Sequence, residues 1–109
     1  MDPIAQAVEN AKSSVEGVIL NAEDATVIPP RPEGIAKLRE AISEAVGYGG
    51  PDADLDSHET VGALLRAALA VQELIDAATF HDEAFFENLY ATRVVLIGAA
   101  KRVCEVMEW

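Results

Sequence analysis

The chain has 109 residues, 50% of them hydrophobic, with 8 Lys+Arg against 19 Asp+Glu and a formal net charge of -11. That length carries one domain with one core, and the apolar fraction excludes simple disorder. The single cysteine, Cys104, excludes an internal disulfide or a multi-cysteine zinc site, and eight scattered basic residues argue against binding nucleic acid or an anionic membrane through clustered Lys and Arg.

The first predicted element runs from about Asp2 to Ala22. Asp2 is a cap residue and Pro3 takes the favoured first helical position. Ile4, Val8, Ala11, Val15, Val18 and Ala22 follow at alternating spacings of four and three. This narrow heptad seam suits contact with one or two neighbouring helices or with a second copy of the chain. Residues 23–34 break the pattern, because Pro29, Pro30 and Pro32 lack an amide donor and bias the residue before them to extended backbone. They read as a semi-rigid linker. Pro29-x-x-Pro32 with Arg31 also has the form of a ligand for a proline-reading groove.

The second element spans about Pro32 to Val46, with Ile35, Leu38, Ile42 and Val46 in one stripe and Gly47 as its expected end. The third spans about Ser57 to Ala78. Asp56 with Glu59 forms a capping box, and apolar residues including Val61, Leu64, Leu65, Leu69, Leu74 and Ile75 cover more than half the circumference. A helix that apolar is central to a core or carries an oligomer interface. The fourth spans about Asp82 to Met107, its main face formed by Phe85, Phe86, Leu89, Tyr90, Leu96, Ile97, Ala100, Val103, Cys104 and Met107. Val94, Val95 and Val106 fall outside that face and imply contact on a second side. The short connection between elements three and four predicts an antiparallel hairpin.

The expected fold is therefore all-α: a small four-helix bundle-like domain built on a long antiparallel hairpin over about 57–107. Residues 35–109 form the helical core and 23–34 the linker. Residues 1–22 form either the fourth helix or an arm reaching for a partner. Ile4, Val8, Val15 and Val18 of the seam, with Trp109, are the expected interface of a homodimer.

Three places have the residue types for chemistry. Arg93 falls in the middle of the fourth element's apolar face, so it needs a carboxylate or a bound anion. Gln72 sits in the middle of the third element's apolar arc and Asp76 toward its edge, and Asp76 or Glu73 is the expected partner across the hairpin. Asp52, Asp54 and Asp56 alternate in the loop before the third element. They resemble the opening of a calcium-binding EF-hand loop, which implies weak Ca²⁺ or Mg²⁺ binding at most: Ser57 stands where that loop needs Gly, and Ala63 where it needs a bidentate Glu. The cap role of Asp56 is the simpler explanation. Finally, acids recur one turn apart: Glu40 with Glu44, Glu73 with Asp76, and Glu83 with Glu87.

The order Glu40, Glu44, Glu73, Asp76 resembles the all-helical, MazG-like nucleotide pyrophosphohydrolases. That resemblance implies a metal-dependent phosphohydrolase using helix-borne carboxylates; in such an enzyme Mg²⁺ would sit on Glu73, Asp76 and another acid pair, and Arg93 is the expected phosphate contact. Only Glu73-x-x-Asp76 matches the family's spacing. Cys104 reads as a small core residue. No Ser/His/Asp arrangement, phosphate-cradling glycine loop or dinucleotide fingerprint occurs.

The sequence thus favours a non-catalytic acidic interaction module, a regulator or inhibitor needing no cofactor. Its expected partner is a protein, basic or itself nucleic-acid-binding, and it is expected to be homo-oligomeric. With no apolar run long enough for a membrane span and no signal-peptide pattern at its start, the chain is expected to be cytoplasmic.

Overall fold

Each of the four apolar periodicities forms one helix. The computed structural model describes residues 2–23, 32–50, 53, 55–77 and 83–109, and within them the chain folds as α1 (Pro3–Glu23), α2 (Pro32–Gly49), α3 (Ser57–Ala77) and α4 (Glu83–Met107). No strand occurs among the described residues.

The helix starts follow from local chemistry. Asp2 Oδ1 accepts the Ile4 N–H at 2.8 Å, capping α1. Asp56 Oδ1 accepts the Glu59 N–H at 3.1 Å and the Asp56 carbonyl accepts the Thr60 hydroxyl at 2.7 Å, capping α3. The end of α4 uses a different device. Glu108 adopts a left-handed backbone (φ 60°), which lets the Trp109 N–H reach back to the Cys104 carbonyl at 3.1 Å.

The helices run up, down, up, down. Gln72 meets Arg93, and His58 at the start of α3 meets Trp109 just beyond α4, so α3 and α4 are antiparallel. Lys37 meets Glu73 and Glu44 meets Arg66, which sets α2 antiparallel to α3. Ser14 meets Thr92, near the middle of both α1 and α4. Neighbours around the bundle are α1–α2, α2–α3, α3–α4 and α4–α1, in a rod of 41 × 20 × 20 Å.

The α1 seam corrects one expectation. Ile4, Val8, Val15 and Val18 are at most 2% exposed and belong to the common core with Leu38, Leu64, Leu74, Phe85, Leu89 and Leu96. The first segment is the fourth helix, not an arm, and its seam is consumed inside the chain. A narrow seam was enough because α1 touches only two neighbours.

The second helix also differs at its end. It continues through Gly47 to Gly49, three residues beyond the expected Val46. No glycine among the described residues adopts a positive φ, so Gly47 terminates nothing. The glycine that matters is Gly49, where an added Cβ would lie 2.6 Å from Thr60 Cγ2. At the other end of the same pair, a Cβ on Gly34 would lie 2.7 Å from Leu74 Cδ2. Buried Ala41 and Ala45 on α2 and Ala63, Ala67 and Ala70 on α3 are small as well. Small residues let α2 and α3 approach toward the short end of the ~8–10 Å interaxial range. Residues 24–31, with the Pro29-x-x-Pro32 reading, lie outside the described residues; α2 begins at Pro32 itself, inside the stretch read as linker.

Candidate functional site

The fourth helix carries more apolar residues than the bundle can cover. Phe85, Leu89, Leu96 and Val103 are buried, but Tyr90 is 45% exposed, Val94 65% and Ile97 39%. On α3, Leu64, Val71 and Leu74 are buried, whereas Leu65 is 45% and Leu69 63% exposed. Leu65, in the arc read as core or oligomer interface, and Ile97, on the main face of α4, are both exposed. The reason is angular. A helix in a four-helix bundle is covered over roughly half its circumference, and the apolar arcs of α3 and α4 are wider than that. The surplus of both helices points outward, giving an outer α3–α4 face whose border residue Leu69 also lines the α2–α3 groove. Half-buried Cys104, one heptad after Ile97, borders it along α4.

Arg93 lies in this face. It is half-buried between the two helices, and its Nη1 donates to Gln72 Oε1. Its guanidinium carbon lies 5.0 Å from the Tyr90 ring centre, a cation–π contact. Gln72 Nε2 in turn donates to Asp76 Oδ1 at 2.9 Å. The expected Arg–carboxylate bridge is therefore relayed: Gln72 stands between Arg93 and Asp76. Glu73 is not part of it. It sits about 100° around α3 from Gln72, toward α2, and is 3.5 Å from Lys37 Nζ.

The acids that would make a metal centre are divided in the same way. Glu40, Glu44 and Glu73 border the α2–α3 groove, but Lys37 and Arg66 border it too, and Arg66 Nη2 is 2.6 Å from Glu44 Oε2. Asp76 points to the α4 side, so the Glu73-x-x-Asp76 pair is split between two grooves. Among the described residues no three His, Cys, Asp or Glu side chains come together in a metal-holding group. Asp52 and Asp54 lie outside the described residues; Asp56 is the α3 cap.

Trp109, expected at an interface, stacks on His58 with ring centres 4.3 Å apart and 11° between planes, and stays 54% exposed. Sequence reading noted both residues but not the pair; their positions near the first and last residues of an antiparallel hairpin, which lie side by side, were the available signal. It missed the Ser14–Thr92 hydroxyl pair, 2.8 Å apart with Thr92 fully buried, which fixes α1 against α4. The signal there was a lone threonine amid the apolar residues of α4.

Comparison with protein-family models, with curated proteins and with solved structures returns no match.

Proposed function

We propose that the chain is a non-catalytic, acidic helical interaction module that acts through the outer face of α3 and α4. The observation that carries this reading is that face itself: Leu65, Leu69, Tyr90, Val94 and Ile97, each at least 39% exposed. The core is filled without them, so they add nothing to folding that smaller polar residues would not supply. Contiguous apolar surface of this kind marks a docking site far more often than single exposed apolar residues do.

The charge adds a second surface. Among the residues whose burial is described, the buried polar ones are Ser57, Thr60 and Thr92, so no carboxylate there is buried. An exterior of that sign draws basic proteins by long-range attraction, including proteins that themselves hold nucleic acid. The role that joins the two surfaces is a regulator or inhibitor, docking through its apolar face and presenting acid to a basic partner. It works in the cytoplasm without a cofactor. No helix among the described residues is long and apolar enough to cross a membrane.

Photo-crosslinking inside the source cell tests this. A benzophenone side chain placed at position 69 or 94 gives discrete protein adducts, and one placed at exposed Ser13 on α1 gives none. Positions 69 and 94 reacting no more than position 13 would remove the reading.

A further inference from the structure

We infer that the occupant of the α3–α4 face is a second copy of the chain, docked about a two-fold axis that passes beside Val94 with the two α4 helices antiparallel. This rests on the docking role proposed for the face and names its partner.

The exposed side of α4 reads Glu87, Tyr90, Val94, Ile97, Lys101, at spacings of three, four, three and four. All five are exposed, so this is a helix-packing stripe with no helix on it. The stripe is apolar in its middle and charged at its ends, with opposite signs. Val94 is its centre: Glu87 lies seven residues before it and Lys101 seven after.

That pattern is complementary to itself in one orientation. When two copies of α4 cross antiparallel at Val94, Glu87 of each copy meets Lys101 of the other. Tyr90 of each meets the Ile97–Gly98 step of the other, and Val94 meets its own symmetry mate. A parallel crossing would set Glu87 on Glu87 and Lys101 on Lys101. Neither Glu87 nor Lys101 has an ion-pair partner among the described residues, so both charges are open to a partner. Further out, Glu83 faces Glu105, whose charge is offset by Arg102 Nη1 at 3.5 Å.

Because Gln72 lies across from Arg93, Leu69 on α3 is within one turn of the Val94 level; it borders the contact on the side of the α2–α3 groove, which it also lines. Arg93 gains a purpose here. Bonded to Gln72 and lying over Tyr90, it holds that ring in place, and a fixed aromatic ring is an efficient interface anchor. The repulsion between two chains of charge -11 is screened beyond about 10 Å at 0.1 M salt, so contacts at the face decide the register.

Sedimentation equilibrium on the full chain reads the register directly. Wild type is a dimer. Glu87→Lys and Lys101→Glu each weaken it about tenfold or more, and the double variant, which exchanges the charges, recovers to within about threefold of wild type. In a Cys104→Ser background, Val94→Cys forms a covalent dimer under mild oxidation and Leu20→Cys, exposed on α1, does not. A wild-type dimer whose double variant is no tighter than the singles, and whose Val94→Cys stays uncrosslinked, overturns this register but leaves the docking role of the face. A monomeric wild type at high micromolar concentration overturns the second copy as occupant. The docking role then survives only if positions 69 and 94 still capture a different protein.

Discussion

The α2–α3 groove and the outer α3–α4 face share a helix, yet they are built oppositely. The first is closed by small residues: Ala41 and Ala45 against Ala63, Ala67 and Ala70, with Gly34 and Gly49 at its two ends. Its rim is laced by Lys37–Glu73 and Glu44–Arg66. The second presents Leu65, Leu69, Tyr90, Val94 and Ile97 to solvent. Small residues let two helices of one chain meet closely, whereas large apolar residues with nothing over them are the surface a separate chain would need. One side of α3 is covered by folding, and the other stays exposed.

The sharpest way to break this contrast is to truncate one leucine from each side of α3. Leu64 is fully buried and Leu69 is 63% exposed. Leu64→Ala should lower unfolding free energy by about 2–5 kcal/mol. Leu69→Ala, measured where the chain is dissociated, should stay within about 0.5 kcal/mol of wild type. Urea denaturation of both variants checks this. Equal losses would mean that Leu69 belongs to the folded core.

A smaller effect separates two glycines of α2. Gly49→Ala drives a methyl group against Thr60 and should destabilise by about 1–3 kcal/mol. Gly47→Ala meets open space on a helix and should stabilise by up to about 1 kcal/mol. Thermal melts of the pair give opposite signs if the α2–α3 approach is as close as described.

Smaller still are the polar contacts. Thr92→Val leaves the Ser14 hydroxyl without its 2.8 Å partner in a half-buried place and should cost about 1–2 kcal/mol. Arg66→Ala removes an exposed pair with Glu44 and should cost no more than about 1 kcal/mol. The order of these two losses in urea is the check.

These comparisons also show what the residues made legible. The four helices followed from period and caps, with Asp2 and Asp56 marking starts that the backbone uses. The side of α1 that is buried was legible for the same reason. What covers each side was not. Periodicity shows that Ile4, Val8, Val15 and Val18 need cover, but the seam fits a neighbouring helix of the same chain as well as one from another. Gly47 looked like a stop because a glycine after an apolar stripe commonly is one; the close approach of Thr60 to Gly49 is a tertiary fact. Arg93 was recognisable as needing a partner, and Gln72 and Asp76 were among those named. That Glu73 turns to α2 instead depends on which helix occupies which side of α3, which spacing along one helix does not encode.

An interface between two copies of the chain at the outer α3–α4 face is the central claim, and light scattering across a concentration series tests that most directly. Wild type at tens of micromolar should have twice the 11.6 kDa chain mass. A variant with Leu69→Ser and Val94→Ser should have the chain mass alone, with unchanged helical circular dichroism. Wild type and variant both at the mass of one chain, or both at twice that mass, would contradict it.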